Sequence, residues 1–212
     1  MDVESQWHHV EAERRQLGGL LQGLTPAQWD TRSLCTAWRV RDVAAHLAMT
    51  PAGAPSTSQI VTGLLRARGD LWAFGRDVAV AWGNARSTTE IVEVLVRCAG
   101  SRRMPVVTNA QNILLDVLVH AQDITVPLGL EHPVPADAGV AALLRIWRMR
   151  WPFHARSRLA GLTLSATDAD LRLGDGPVVR GSLATLLLLT TGRTAAVRDR
   201  LQGPGAELLA RR

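Results

Sequence analysis

The stretch LLDVLVHAQDI, residues 114–124, places two metal-capable side chains in an otherwise apolar segment. Asp116 and His120 are four residues apart, which is about one helical turn, so a helix presents both on the same face. An isolated carboxylate or imidazole is unfavourable in an apolar core unless another group pairs with it. A divalent metal ion is one such partner, because Asp oxygen and His nitrogen are common zinc ligands.

Three roles are open for this pair on sequence grounds. The two side chains could form a buried hydrogen bond between neighbouring helices, ligate a metal with a His from another helix, or act as a metal-free acid–base pair. The segment RVRDVAAHLAM, residues 39–49, supplies such a His, because Asp42 and His46 repeat the same spacing. Two His and one carboxylate leave a coordination position open, which is typical of catalytic rather than structural zinc sites.

The remaining acidic residues and histidines near these motifs are expected to have supporting roles. Asp42 lies in the first turn of its helix, where a carboxylate favours the helix dipole, so we expect a structural role rather than ligation. Asp123 follows His120 by three residues and could accept a hydrogen bond from an imidazole or pair with a surface Arg. The other histidines have no partner at metal spacing and are predicted to be surface or packing residues: His8, His9, His132 and His154.

Composition indicates a globular protein without a nucleic-acid-binding surface. The 212 residues are 47% hydrophobic and 20% charged, which excludes disorder and allows one large domain or two small ones. The formal net charge is +5, but the chain has no Lys and its arginines are scattered rather than clustered. A DNA-associated protein is therefore the weakest of the readings, since such proteins present a basic patch.

Cysteine usage and hydropathy point to a cytoplasmic protein. Cys35 and Cys98 are far apart and form no CxxC motif, so we expect two reduced thiols. The acidic, polar start of the chain does not resemble a signal peptide. The most apolar run, residues 183–189, is too short to span a bilayer, so we expect no membrane association.

Periodicity and capping signals predict a mainly α protein with a small sheet near its end. Residues 161–180 alternate apolar and polar side chains and predict two or three short antiparallel strands. We therefore expect a helical bundle over residues 1–152 and a small α+β domain over residues 153–212. The predicted helices cover 3–23, a short turn after Thr25-Pro26, 40–49 (stopped by Pro51), 57–83, 87–102, 109–127, 135–151, 183–190 and a last stretch after Arg193.

Three motifs carry a resemblance to a known family. They are CTAWRVRDVAAHL (residues 35–47), DVLVHAQDI (residues 116–124) and TGR (residues 191–193). Together the motifs resemble the mycothiol-dependent maleylpyruvate isomerase family, which belongs to the DinB-like superfamily of up-and-down helical bundles. The resemblance covers essentially the whole chain, including the small α+β C-terminal domain.

The resemblance implies a divalent metal, usually zinc, bound by His46, Asp116 and His120. Asp116 stands where the isomerase itself has Glu, a side chain longer by one methylene. Arg39 stands where many relatives have a Thr or Ser that caps the helix. Arg193 matches an Arg that the isomerase uses near its active cleft, where a guanidinium can hold a substrate carboxylate through two hydrogen bonds.

The resemblance also implies mycothiol as a thiol cosubstrate. A thiol that takes the open position on zinc is deprotonated at neutral pH and becomes a nucleophile toward a small electrophilic, acidic substrate. Addition, bond rotation and elimination would give cis–trans isomerisation, whereas displacement would give a thiol conjugate and make the protein an S-transferase. The alternative is a non-catalytic binding or stress-response module with the same fold. A homodimer and a monomer are both compatible with the sequence.

Overall fold

The structure, a computed structural model, describes residues 1–53, 71–105 and 108–211. The part of the predicted helix 57–83 that precedes residue 71 lies outside these ranges. The helices are α1 (Val3–Gln22), α2 (Pro26–Trp29), α3 (Val40–Ala52), α4 (Leu71–Asn84), α5 (Thr88–Arg97), α6 (Ala110–Thr125), α7 (Ala136–Arg148), α8 (Ala155–Arg158), α9 (Leu183–Thr190), α10 (Thr194–Val197) and α11 (Pro204–Ala210). The strands are β1 (Thr163–Ala166), β2 (Arg172–Gly174) and β3 (Val178–Gly181). The predicted fold class, mainly α with a small α+β part, is confirmed.

The described residues cluster into two compact units. The helical unit contains Trp7–Asn109 and Asp123–Leu130, and the sheet-containing unit contains Met1–Gln6, Ala110–Gln122 and Glu131–Arg212. The domain boundary between residues 152 and 153 stays a prediction.

Helix α3 lies at the centre of the helical unit, where it packs against α4 and α5. Its apolar face is fully buried at Val43, Ala44 and Ala48. Helix α4 approaches closely because Gly83 lacks a side chain, since a Cβ atom there would lie only 2.9 Å from the Ala45 Cβ. This packing leaves the opposite edge of α3, which carries His46, only partly buried.

The expectation that Pro51 stops α3 was wrong, because the helix includes this residue and ends at Ala52. Pro51 has no N–H and so removes one hydrogen bond from the last turn of the helix. The helix continues for only one residue beyond it. The helix then closes through Gly53, whose N–H donates to the Met49 carbonyl oxygen at 3.1 Å. Gly53 has a φ of 152°, a value that residues other than glycine rarely adopt.

Helix α5 begins as predicted and ends earlier than predicted. Ser87 is its N-cap, and the Ser87 N–H donates to the Glu90 Oε2 at 2.6 Å. These backbone and side-chain hydrogen bonds from Ser87 lower the pKa of Glu90. The helix ends at Arg97 rather than near residue 102, and the buried Arg14 guanidinium binds the Ala99 and Ser101 carbonyl oxygens beyond it at 3.0 and 2.9 Å.

We expect Ser87→Ala to lower the free energy of unfolding by about 1 kcal/mol, the usual cost of removing an N-cap hydroxyl. The lost acceptor is the Ser87 Oγ, which receives the Glu90 N–H at 3.2 Å. Urea denaturation of the purified variant measures the effect. Thr89→Ala, at an exposed position inside the same helix, is the matched control and should not destabilise the protein. An equal loss of unfolding free energy in both variants would show that the N-cap hydroxyl does not contribute to stability.

The small sheet has the strand order β2-β1-β3. Strands β1 and β2 are antiparallel as predicted, but β1 and β3 are parallel, so the expectation of an entirely antiparallel sheet was wrong. The chain leaves β2 and passes the end of β1 to reach its far edge, with Gly176 (φ 125°) against the Gly161 carbonyl oxygen. Because β2 and β3 run in opposite directions on the two sides of β1, one of them is parallel to it.

Helix α9 forms the core of the sheet-containing unit. Ser182 is its N-cap, as predicted, and the Ser182 Oγ accepts the Thr185 N–H at 3.3 Å. The helix packs on α7 and contacts β1 and β3, so the apolar run 183–189 is buried within this unit. None of the helices in the described ranges is long and apolar enough to cross a membrane.

Candidate metal centre

Helix α6 holds Asp116 and His120 on one face, as the sequence predicted. The His120 Nε2 lies 3.4 Å from the Asp116 Oδ1. The Asp116 side chain is 35% exposed and that of His120 is 14% exposed, although Val117, Leu118 and Val119 are buried. The pair therefore lies on the partly open edge of an otherwise buried helix, where a ligand can reach it.

His46 lies in the helical unit, on the partly buried edge of α3. Its ring packs against the Trp38 indole, with ring centroids 5.4 Å apart and planes inclined by 40°. The His46 carbonyl oxygen accepts the Thr50 hydroxyl at 3.0 Å, which is a bond inside the same helix. A contact between Trp38 and His46 was not predicted, because eight residues and the start of a helix separate them.

Asp42 has the structural role that the sequence favoured. Its carboxylate, 3% exposed, accepts the Arg39 N–H at 2.9 Å and two guanidinium hydrogen bonds from Arg39 at 3.1 and 3.0 Å. These bonds raise the pKa of the Arg39 guanidinium, with the hydrogen bond to Asp42 as the largest cause. Arg39 is thus the N-cap residue of α3, and Asp42 reaches back to it in place of a capping Thr or Ser.

Asp123 is fully buried and has a partner that the sequence did not predict. The Cys35 thiol donates to the Asp123 Oδ2 at 3.0 Å. The Leu34 N–H also donates to the Asp123 carbonyl oxygen at 3.1 Å, so both hydrogen bonds fix the same loop. No pattern in the sequence could have signalled this pair, because its members are 88 residues apart.

Arg193 is the N-cap residue of α10 in the sheet-containing unit. Its guanidinium donates to the Thr191 carbonyl oxygen at 2.9 Å, and its N–H donates to the Leu188 carbonyl oxygen at 2.8 Å. These bonds fix the stem of Arg193 to the end of α9. Its assignment as a catalytic residue stays a prediction.

The other histidines occupy surface and packing positions, as expected. His8 and His154 are exposed, His9 is partly buried and its ring meets the His8 ring edge-on, and His132 is 6% exposed. The His132 carbonyl oxygen accepts the Gln122 side-chain amide at 2.8 Å, which makes this histidine part of the packing around α6.

Comparisons with known proteins identify relatives of the N-terminal sequence and of the fold. Residues 10–105 match the sequence model of the mycothiol maleylpyruvate isomerase N-terminal domain. No curated protein matches the chain. Among solved structures, the crystal structure of the mycothiol-dependent maleylpyruvate isomerase has a TM-score of 0.61 at 16% identity, covering 97% of this chain and 94% of that one. A histidine-to-alanine mutant of that isomerase gives a TM-score of 0.61 at 15% identity, with the same coverage.

The two comparisons support each other. The sequence match includes α3 with His46 and ends before α6, whereas the structural match extends over nearly the whole chain. The family resemblance seen in the motifs is therefore confirmed. Residues 10–105 match the sequence model of the mycothiol maleylpyruvate isomerase N-terminal domain, and the chain as a whole has the fold of that isomerase.

Proposed function

We propose that this chain is a metal-dependent enzyme that uses mycothiol to act on a small electrophilic, acidic substrate. The proposal is supported by the family match at residues 10–105, the shared fold and the donor chemistry of three side chains. The metal ligands in this proposal are His46, Asp116 and His120, each of which offers one donor atom and is only partly buried.

The observation that carries the proposal is the spacing of the two donors on α6. Two ligands at about 2.1 Å from a tetrahedral zinc ion lie about 3.4 Å apart. The His120 Nε2 and the Asp116 Oδ1 are 3.4 Å apart. This separation suits two ligands of one ion. The same spacing supports a ligand role for Asp116, at the position where the family resemblance implies a Glu.

The donor set fits a catalytic rather than a structural metal. Two imidazoles and one carboxylate are one of the three-ligand sets found in catalytic zinc sites, and they leave the fourth position to water, substrate or cosubstrate. When bound, the metal would supply the charge that deprotonates a thiol at neutral pH. The chain's own contribution is to hold the donors, two on one helical face and one on α3.

Arg193 is the proposed binding residue for a substrate carboxylate. Its guanidinium, which donates to the Thr191 carbonyl oxygen, is a planar group that carries five N–H donors. A planar guanidinium whose stem is held in this way is suited to a bidentate contact with a carboxylate. We propose isomerisation as the reaction and S-transfer as its variant, because both begin with the same thiolate attack. The cytoplasmic location belongs to the same proposal.

The proposal is tested by metal analysis of the purified protein and an assay with mycothiol and maleylpyruvate. We expect about one zinc per chain and isomerisation that requires the thiol. Metal without activity toward any electrophile in a thiol-dependent panel would favour a non-catalytic binding module. A protein that takes up no divalent metal would contradict the proposal.

Asp116→Asn is the sharpest variant for the α6 pair, because it keeps the side-chain shape and removes the charge. We expect metal affinity to fall at least about tenfold and the activity to fall with it, since a neutral amide is a poor zinc ligand. Competition with a chromophoric chelator measures the affinity. Asp137→Asn, at an exposed position in the same unit, is the matched control and should bind metal as the wild type does. Equal affinity in both variants would exclude Asp116 as a ligand.

A further inference from the structure

We propose that Trp38 is a positioning residue that fixes the orientation of the His46 imidazole. The inference rests on the proposed function in one respect only: the orientation of the imidazole affects metal binding if His46 is a ligand. The two rings are in contact in the helical unit.

The ring contact is close enough to restrict the imidazole. The centroids are 5.4 Å apart, inside the range in which aromatic pairs attract each other, and the planes are inclined by 40°. A histidine side chain has two rotatable bonds, so an imidazole at the edge of a helix can adopt several orientations. The indole of Trp38 blocks one side of the His46 ring and reduces the number of orientations that the imidazole can adopt.

Trp38 can act in this way because its backbone is held on both sides. The Trp38 carbonyl oxygen accepts the Ser33 N–H and the Ser33 hydroxyl, both at 3.0 Å. The Trp38 N–H donates to the Cys35 carbonyl oxygen at 3.1 Å. These bonds close the loop that precedes α3 and set the direction in which the indole leaves it.

Arg39, the residue after Trp38, connects the same loop to three other parts of the helical unit through hydrogen bonds. The Arg39 guanidinium binds Asp30 after α2, Asp42 in α3 and Asn84 at the end of α4, at 2.9–3.1 Å. The loop therefore cannot shift relative to α3 without breaking several charge-assisted hydrogen bonds. The Trp38 indole and helix α3 therefore have a fixed relative position. For this reason the indole determines the orientation of the imidazole, and not the reverse.

Ligand orientation has a measurable effect on metal binding. Residues that orient a metal-binding histidine typically contribute 10–100-fold in metal affinity. A catalytic constellation must be held to within about 10–20° of its productive geometry. We therefore expect Trp38→Leu, which removes the aromatic face, to weaken zinc binding about tenfold. Trp38→Phe retains an aromatic ring and should restore affinity close to that of the wild type.

The first measurement uses the metal-free protein with isotopically labelled histidine rings, studied by NMR at one pH for all variants. The His46 signal is identified by its loss in His46→Gln. In the wild type and in Trp38→Phe we expect one sharp ring signal displaced by the neighbouring aromatic ring. In Trp38→Leu this signal should lose its displacement and broaden. An unchanged His46 signal in Trp38→Leu would overturn the proposal.

The second measurement is zinc affinity by chelator competition, with unfolding of the metal-free variants recorded in parallel. Trp82→Leu is the control, because Trp82 is a partly buried tryptophan of the same unit whose ring faces the Arg86 guanidinium at 3.9 Å. A tenfold loss in Trp38→Leu, rescue by Phe and no loss in Trp82→Leu would support the proposal. Equal affinities for Trp38→Leu and Trp38→Phe would contradict it. If the wild type binds no metal, the proposed function fails while the NMR result still decides the role of Trp38.

Discussion

We expect the His120→Ala variant to lose stoichiometric metal and thiol-dependent activity while remaining folded. Its Nε2 is one of the two donors spaced 3.4 Å apart on α6, so its removal leaves a single α6 ligand. Affinity should fall at least about 100-fold, since even residues that only orient a ligand contribute 10–100-fold. Helix α6 keeps its anchors, because Leu114, Leu118 and Ile124 are fully buried. Metal content by mass spectrometry and helix content by circular dichroism test both parts.

His8→Ala is the matched control, because His8 is exposed and lies in the first half of α1. It should keep the metal content and activity of the wild type. Stoichiometric metal in His120→Ala would remove His120 from the ligand set, even if the activity were lost. A variant that unfolds would show that the Asp116–His120 pair mainly stabilises the fold. This outcome would support the first alternative from the sequence, a buried hydrogen bond between helices.

The helix starts could be predicted because their signals are local. Thr25 and Ser87 lie next to the backbone N–H groups that they cap, and the structure shows a capping box at both residues. The same holds for Ser182 before α9. A capping hydroxyl and the N–H group that donates to it are within three residues, so no knowledge of the fold is needed to identify them.

Features that depend on distant residues could not be predicted. Arg14, more than 80 residues away in the chain, binds the carbonyl oxygens of Ala99 and Ser101 in the segment that follows α5. Whether β3 pairs with β2 or with β1 depends on which edge of the sheet the chain reaches after β2, and pairing with β1 gives a parallel ladder. An alternating pattern gives the strand but contains no information on that choice.

The candidate site follows the same division between local and distant information. The Asp116–His120 pair could be predicted, because one helical turn brings the two donors together. The contacts of Trp38 with His46 and of Cys35 with Asp123 depend on how the loop before α3 folds back. The repeated Asp-x-x-x-His spacing suggested His46 as a third ligand, and the family resemblance implied the same residue.

Arg39→Ala is expected to lower the free energy of unfolding by about 2 kcal/mol. The variant removes both guanidinium hydrogen bonds from the Asp42 carboxylate, which is 3% exposed, and leaves a buried charge without its cation. Loss of one partner of a buried pair typically costs 3–5 kcal/mol. Two features reduce this cost: the Arg39 side chain is 36% exposed, and the backbone N–H of residue 39 can still bind Asp42. Urea denaturation measures the change.

Two further variants separate the buried charge from other effects. Arg15→Ala breaks the exposed pair with Glu11, whose side chains are 56% and 42% exposed, and should cost only about 0.3–0.5 kcal/mol. Adding Asp42→Asn to Arg39→Ala removes the unpaired charge and should recover part of the lost stability, because a neutral amide is less costly to bury than a carboxylate. If Arg39→Ala costs no more than Arg15→Ala, Arg39 does not anchor α3. The Asp42 carboxylate would then be stabilised at the start of the helix by the helix dipole and the backbone alone.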